Sequence, residues 1–441
     1  MLGFSGLTKI ITARRGLTIM AFVAFWVIFT VLLVQTKWPG MVTEGITYLR
    51  SASNLKTSKD VKDLIMKNGR VSYQHKTWAS NPRVLDDPYH TAFVPYLRGI
   101  YKTNLDCQPP EKDGPTHNFT NPPYFSCSKP FPNSRASNLS DGTREQIRIW
   151  CDDADGNAYS ELQQVPKRSP LQSFNTDAEV RCLQRYIQQN CYDSYRIPNI
   201  VHLIWFGNAQ LDMRTAVPFY SISTILKPCL ILIHGAPLKY NFYWDLFLPH
   251  TTNAVSLKKE QRTKMFGIRI ANVGNRADIA RLEVLRDFGG IYLDTDSLIL
   301  KPIDIFRATS FAAGLEGNFP TMSNALMLAE ANHSLLTHWL DHYKTYDGRN
   351  WVSHSTVYLT TLTNTFPRLT QAMGPVFIKF GFGGLNNLYD KTCSVGDSFG
   401  AHIYRAKFPD KADLESLKFA NSTYGRIMRY VLFNDARKCL R

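Results

Sequence analysis

The chain has 441 residues, a formal net charge of +15, 44% hydrophobic residues and 12% aromatic residues. This length exceeds one average domain, and the composition supports a sizeable hydrophobic core. A strongly basic balance is typical of nucleic-acid-binding proteins, but here the basic residues are dispersed and no run of five occurs. We therefore expect no nucleic-acid partner. We assign the charge to a solvated basic surface or to contacts with phosphates, acidic glycans or lipid headgroups.

The amino terminus carries a hydrophobic segment. Residues 17–34 are apolar and uncharged, and the run is long enough to span a bilayer as a helix. Lys9, Arg14 and Arg15 precede it without any acidic residue, so the positive-inside rule places residues 1–16 in the cytosol and the rest of the chain in the lumen. A cleaved signal peptide is the alternative, but its apolar core is usually shorter and the residues after this run make a poor cleavage site. We predict a single uncleaved transmembrane anchor.

A stem and loop-rich region follows the anchor at residues 35–140. Its first part is polar without a long apolar period, and residues 107–140 are rich in Pro, Asn and Ser, which is typical of loops. The chain contains 8 Cys, an even number that permits complete pairing in an oxidising compartment, although the spacing does not give the connectivity. Four Asn-x-Ser/Thr triplets are potential glycosylation acceptors: Asn118, Asn138, Asn332 and Asn421.

Regular elements begin near Thr176, where a cap residue followed by acidic residues indicates the start of a helix. Strands and helices then alternate. The strands are predicted at residues 200–206, 229–233, 290–294, 310–315 and 324–328, and the helices at 275–288 and 332–345. This order predicts an α/β domain, whose ligands bind at the carboxyl ends of the strands.

The helix at 275–288 leads directly into the most informative strand. Gly289 and Gly290 end the helix, and Asp278 and Arg281 lie three residues apart on one of its faces. A surface salt bridge of little energetic value is the ordinary interpretation of that pair. The alternative is that both side chains lie beside the acidic residues that follow the strand.

Those acidic residues are Asp294 and Asp296. They follow three residues with strand chemistry, Ile291 to Leu293. Residues i and i+2 point to the same side of an extended chain, so both carboxylates face one spot if the strand geometry persists. Oxygen ligands of this kind suit Mg²⁺ or Mn²⁺, which also bind phosphate oxygens. Two solvated acids in a strand-end turn are the alternative.

These segments resemble the signature of the sugar transferases with a DXD sugar-binding region. That family includes α1,4-galactosyltransferases, α1,4-N-acetylglucosaminyltransferases and fungal α1,6-mannosyltransferases. The resemblance is carried by Arg276-Ala277-Asp278, by Arg281, by residues 289–296, by residues 197–207 as the first strand and by residues 323–327 as the next sugar-side strand. It implies a GT-A-like, Rossmann-like nucleotide-sugar-binding domain at residues 141–441, with its core at about 196–407. The chain departs from the family after the acceptor-side Trp351, where Ser355 and Thr356 replace a frequent Gly-Pro.

The resemblance also implies roles for the acidic and basic residues. Asp296 would be the main metal ligand, for Mn²⁺ or Mg²⁺, and Asp294 would contact the ribose or donor sugar and support the metal. Arg281 would contact the diphosphate or the sugar, and Asp278 would contact sugar hydroxyls. On this basis the catalytic set is Asp294, Asp296 and Arg281.

Three further residues each have a functional and a structural interpretation. His402 either completes the metal site from the carboxyl-terminal end, as in many GT-A enzymes, or is a structural histidine. His202, in an apolar strand, either contributes to donor binding or fills a satisfied core position, and the core position is the expected one. Asn324 either hydrogen-bonds the donor sugar or pairs with strand-edge backbone.

The resemblance implies a Golgi glycosyltransferase that moves a hexose from a nucleotide sugar to a glycan or glycolipid with retention of configuration. UDP-galactose is the first choice of donor, because residues 289–302 most resemble the α1,4-galactosyltransferases, and UDP-N-acetylhexosamine is the second. A catalytically inactive, lumenal glycan-binding protein of the same fold is the main alternative. A metal-dependent phosphohydrolase would need further His and Asp clusters for two metals, which we do not find in the sequence.

Overall fold

The structure is a computed structural model. It describes residues 107, 109–110, 125–131 and 146–150, and residues 171–439 except 208, 237–240, 248–249, 316–320, 367–368, 374–376, 382–383, 397 and 405–412. The expected tail and anchor, most of the stem, and the acceptor sites Asn118 and Asn138 lie outside the described residues. Within the described ranges, no helix is both long and apolar enough to cross a membrane.

An eight-stranded mixed sheet forms the centre of the fold, in the order β1-β4-β3-β2-β7-β10-β9-β11. Its strands are β1 (Ser173–Phe174), β2 (Ile200–Trp205), β3 (Leu230–Gly235), β4 (Ala254–Leu257), β7 (Gly290–Leu293), β9 (Phe311–Leu315), β10 (Met322–Ala329) and β11 (Gln371–Met373). Strands β10 and β7, and β10 and β9, pair antiparallel, whereas the other neighbours pair parallel. Two further sheets have two antiparallel strands each: β5 (Lys264–Met265) with β6 (Ile268–Arg269), and β8 (Ser297–Ile299) with β12 (Gly400–His402).

Helices connect the strands in the manner expected of an α/β domain. They are α1 (Asp177–Asn190), α2 (Met213–Ser221), α3 (Phe242–Phe247), α4 (Val273–Phe288), α5 (Ser334–His342), α6 (Thr356–Thr365), α7 (Leu385–Tyr389), α8 (Leu414–Leu417) and α9 (Thr423–Phe433). A π-helical segment at Ile222–Leu226 extends α2, and 3₁₀ turns lie at Asp304–Ala308, Tyr343–Thr345 and Trp351–His354. The predicted α/β class is confirmed.

The predicted elements are present with shifted ends. The five predicted strands correspond to β2, β3, β7, β9 and β10, and the helix near Thr176 is α1, whose cap is a complete capping box. Helix α4 starts two residues before the prediction, because the Asn272 side chain accepts from the backbone N–H groups of Gly274 and Asn275. It ends at Gly289, which adopts a φ of +66°. The helix predicted at 332–345 ends at His342 and continues only as a 3₁₀ turn.

The core lies on both faces of the sheet. Strand β2 shows how: Val201, Leu203 and Trp205 pack on one face, and Ile200 and Ile204 pack on the other. Burial of such side chains stabilises the fold by about 1.5–3 kcal/mol each.

Part of the predicted loop-rich region belongs to this core. Phe125 and Phe131 are buried, and the Phe125 ring lies 5.4 Å from the Tyr220 ring and 5.5 Å from the Phe247 ring. Residues 125–131 therefore pack with the domain that we expected to begin at residue 141. The apolar side chains lie within a run rich in Pro and Ser, which is why composition assigned them to loops.

Long-range disulfides reinforce that packing. Cys107 bonds to Cys393 and Cys127 bonds to Cys439, across 286 and 312 residues of sequence. Cys191–Cys229 joins residues that are 38 apart. No described cysteine is free, as expected for an oxidising compartment. The glycosylation acceptors Asn332 and Asn421 are exposed, and their modification stays a prediction.

Candidate active site

The two acidic residues of the Asp-x-Asp triplet lie in the turn between β7 and β8. The strand ends at Leu293, and the Ser297 backbone N–H donates to the Asp294 carbonyl at 2.9 Å. The Asp294 N–H still donates to the Ala325 carbonyl of β10 at 2.8 Å, so the extended geometry that we expected from the spacing stops between the two acids. A tight turn, rather than a strand, brings the two side chains to one place.

His402 reaches the same place through a strand pairing. Strand β12 runs antiparallel to β8, with His402 opposite Ser297, and the Ile403 N–H donates to the Asp296 carbonyl at 3.0 Å. His402 Nε2 lies 3.1 Å from Asp296 Oδ1 and 3.9 Å from Asp294 Oδ2. Of the two interpretations of His402, the structure supports the one at the carboxylate pair.

These three side chains form a group that can hold a metal ion. One ligand atom from each of Asp294, Asp296 and His402 lies within 4.8 Å of the others. The side chains are 21%, 18% and 14% exposed, so the group is open to solvent on one side. Two carboxylates and one imidazole are ligand types that Mn²⁺ accepts. A bound cation would relieve the repulsion between the carboxylates and would neutralise phosphate charge.

The two oxygens of Asp294 face different partners. Oδ1 accepts from the Tyr292 hydroxyl at 2.6 Å and lies 3.1 Å from Arg281 Nη2, whereas Oδ2 faces His402. Burial raises the pKa of Tyr292, and the negative charge of Asp294 adds to that shift, so the phenol remains a proton donor to the carboxylate. Tyr292 was not predicted as a site residue, although its position two residues before Asp294 places it on the same side of the extended chain.

Arg281 lies behind the carboxylates. It is buried, its Nη2 contacts Asp278 Oδ1 at 3.3 Å as well as Asp294, and its Nη1 donates to the Asn324 carbonyl at 2.7 Å. Its guanidinium lies 4.5 Å above the centre of the Tyr292 ring. Burial alone would lower its pKa, but the charge of Asp294 and of other neighbours outweighs this and raises the pKa. The interpretation of Asp278 and Arg281 as a surface salt bridge is wrong, because both side chains are buried.

Asp278 is more deeply buried than Arg281 and Asp294. It is buried and accepts from Asn275 Nδ2 at 3.1 Å and from Asn324 Nδ2 at 3.0 Å. Burial raises its pKa, and the neighbouring Arg281 opposes that shift. Both asparagines belong to the same network, so Asn324 is a side-chain partner of Asp278 rather than a strand-edge cap. Asn275 was missed, although its spacing of three residues from Asp278 on a helix predicts contact.

His202 lies in the core and not with the other predicted site residues. Its Nδ1 lies 2.8 Å from Nε2 of His234, and its Nε2 lies 2.7 Å from the carbonyl oxygen of Gly289. Burial lowers the pKa of His202 to about 4, although the hydrogen bond to Gly289 opposes the shift. Both ring nitrogens are engaged within the protein, which corrects the donor-binding role and leaves the core position as the one that fits.

The comparisons with known proteins agree with the resemblance of these segments. Residues 173–312 match the family model described as the glycosyltransferase sugar-binding region containing DXD motif. Over these residues the chain is similar to that family. The match includes α4, β7 and both acids of the triplet, and it ends before β10 and β12.

A curated fungal protein is similar to part of the chain. Glucan organizing enzyme 1 of Cryptococcus neoformans var. grubii is 27% identical over 194 residues, which cover 40% of this chain and 52% of that protein. The chain therefore spans about half the length of this curated relative.

Solved glycosyltransferases have more distant similarity. The galactosyltransferase LgtC, in complex with donor and acceptor sugar analogs, has a TM-score of 0.34 at 10% identity, covering 54% of this chain and 96% of LgtC. The PaToxG glycosyltransferase has a TM-score of 0.29 at 16% identity, covering 39% of this chain and 70% of that chain.

Proposed function

We propose that this protein is a metal-dependent GT-A glycosyltransferase, which transfers a hexose from a nucleotide sugar to a glycan or glycolipid. UDP-galactose is the proposed donor and UDP-N-acetylhexosamine the second choice, with retention of configuration. The observation that carries the proposal is the convergence of Asp294, Asp296 and His402 within 4.8 Å. They lie beside the buried Arg281, in a chain whose residues 173–312 are similar to a sugar-transferase family.

The chemistry of transfer explains why this arrangement suits the reaction. Breaking the bond between the sugar and a diphosphate leaves negative charge on the leaving group, which a divalent cation stabilises when bound. Asp296 and His402, with Oδ2 of Asp294, face the position where a cation would be held. Arg281 holds Asp294 from behind, and this fixes which carboxylate oxygen faces outward.

Nucleotide release from a panel of donors tests this proposal. The purified lumenal part would be given UDP-galactose, UDP-N-acetylgalactosamine, UDP-N-acetylglucosamine, UDP-glucose and GDP-mannose, each with Mn²⁺, with Mg²⁺ or with a chelator. We expect UDP release to be fastest from UDP-galactose with Mn²⁺ and to stop with the chelator. Faster release from GDP-mannose would overturn the donor assignment. Binding of UDP and glycans without any release would favour the inactive glycan-binding alternative.

We also propose a single-pass type II location in the Golgi membrane, with residues 17–34 as the anchor. The apolar run and the basic residues before it support this topology. In sealed microsomes the domain should resist added protease, and a glycosidase should lower its mass by removing glycans at Asn332 or Asn421. Digestion of the domain in intact vesicles would contradict a lumenal position.

A further inference from the structure

Two asparagine side chains connect the buried carboxylate of Asp278 to one surface turn. Asn275 Nδ2 donates to Asp278 Oδ2 at 3.1 Å and to the Trp351 carbonyl at 2.7 Å. Asn324 Nδ2 donates to Asp278 Oδ1 at 3.0 Å and to Ser355 Oγ at 2.7 Å. Each amide therefore uses both of its N–H groups to join Asp278 to residues 351–355, which we call the Trp351 turn.

The chemistry of the partners fixes the orientation of the Asn275 amide. A carbonyl oxygen and a carboxylate oxygen only accept hydrogen bonds, so the amide nitrogen must face them. Its oxygen then faces the Tyr346 hydroxyl, which donates at 3.2 Å. A flipped amide would oppose acceptor to acceptor at two contacts, and the link between Asp278 and Trp351 therefore has a single arrangement.

Ser355 closes the other end of the turn. It is fully buried, it follows the 3₁₀ turn at Trp351–His354 and it directly precedes α6. Its hydroxyl accepts from Asn324 and also hydrogen-bonds Asp278, which lowers the pKa of that carboxyl against the larger effect of burial. A glycine at this position would have no hydroxyl to make either bond.

The turn holds a large aromatic side chain at the surface. Trp351 is 52% exposed, whereas the atoms that fix its backbone are buried. Asp278 in turn shares Arg281 Nη2 with Asp294, at 3.3 Å and 3.1 Å. A continuous series of hydrogen bonds and ion pairs thus runs from the Trp351 turn through Asp278 and Arg281 to the carboxylates that can hold the cation.

We propose that Asn275, Asn324 and Ser355 are positioning residues, which hold the Trp351 turn beside the donor site through the carboxylate of Asp278. The exposed indole of Trp351 is then available to an acceptor that approaches the donor site. The consequence for transfer rests on the proposed function, but the fixed position of the turn does not.

Hydrogen exchange of the turn tests the proposal in two variants. Ser355→Ala removes the hydroxyl, and Asn275→Ala removes the separate link to the Trp351 carbonyl. A buried polar group that loses its hydrogen-bond partner lowers the stability of the structure around it. We therefore expect the backbone amides of residues 351–356 to exchange about tenfold faster or more in both variants. Ser353→Ala, in the same turn at a half-buried position, is the matched control and should leave exchange unchanged.

UDP binding and UDP release separate positioning from a merely structural role. In Ser355→Ala, we expect UDP binding with Mn²⁺, and UDP release without acceptor, to stay within about threefold of wild type. Release that depends on an added aryl glycoside should fall about tenfold. Unchanged exchange in both variants would overturn the proposal, as would faster exchange spread evenly over α4 and α6 together with weaker UDP binding. A wild-type protein that releases no UDP from any donor would refute the proposed function and leave the exchange result to decide the positioning role.

Discussion

Two polar clusters lie at the two ends of strand β7, and they differ in burial and in charge. At the amino end, His202 uses both ring nitrogens, on His234 and on the Gly289 carbonyl, in a fully buried setting. At the carboxyl end, Asp294, Asp296 and His402 are partly exposed and bring like-charged carboxylates together. A histidine on a strand is present in both clusters. Residue type alone therefore does not distinguish the two clusters. Partial exposure and the repulsion between carboxylates mark the one that can hold a cation.

The largest expected effect comes from removing a carboxylate of the cluster at the carboxyl end of β7. Asp296→Asn should lower the rate of UDP release by about three orders of magnitude or more, because the variant loses a charged cation ligand. Its melting temperature should stay close to wild type, since the side chain lies in a partly exposed turn. Asp287→Asn, an acid on the solvent side of α4, is the control and should behave as wild type. Near-normal turnover in purified Asp296→Asn would remove the functional distinction between the two clusters.

Arg281→Ala tests the residue that joins the cluster at the carboxyl end of β7 to the buried Asp278. We expect kcat/KM to fall by about two orders of magnitude, which corresponds to about 3 kcal/mol. The free energy of unfolding should also fall, by about 3–5 kcal/mol, because Asp278 would remain buried without its ion-pair partner. Sequence alone predicted a small stability effect, and the burial of both side chains reverses that prediction. Arg286→Ala, at an exposed pair on the same helix, should cost less than about 1 kcal/mol. Equal melting temperatures for the two variants would contradict this account.

We expect the buried cluster at the amino end of β7, which contains His202, to make the protein less stable in acid. Burial lowers the pKa of His202 to about 4, whereas an unfolded chain has a histidine pKa of about 6.5. The unfolded state therefore binds more protons between these values, and stability is lost as the pH falls from about 6.5 to about 4. The shift corresponds to about 3 kcal/mol. His202→Gln should reduce the loss over that range in urea unfolding, and His338→Gln, at an exposed position of α5, should not. A pH profile unaltered by His202→Gln would show that this cluster contributes nothing to acid sensitivity.

The smallest of these effects concerns His402. His402→Gln should weaken Mn²⁺ binding by at least tenfold, measured as the Mn²⁺ concentration that gives half-maximal UDP release, since an imidazole ligand is lost while both carboxylates remain. Stability should change little, because the ring is partly exposed. If the Mn²⁺ dependence were the same as in wild type, the cation site would be limited to the carboxylates and His402 would have only a structural role.

The sequence predicted the features that depend on local spacing. Helix α4 follows from an apolar period of 3.6 residues, and its end follows from a glycine with positive φ. The two acids follow a short strand, and all these signals lie within about twenty residues. Contacts between distant segments were beyond such patterns. Asn275, Asn324 and Ser355 come from three separate segments, and no periodicity indicates that they share one carboxylate. The antiparallel direction of β10 was likewise unpredictable, because alternating elements favour a parallel sheet.

The pairing of β8 with β12 also sets the order in which the site can be completed during synthesis. His402 lies 106 residues after Asp296, and domains form from the amino-terminal side as the chain emerges from the ribosome. A nascent chain that has reached β11 contains the whole sugar-binding region at residues 173–312 but not the imidazole. The group of Asp294, Asp296 and His402 is therefore complete only late in translation. A chain that terminated before β12 would contain residues 173–312 but would lack His402.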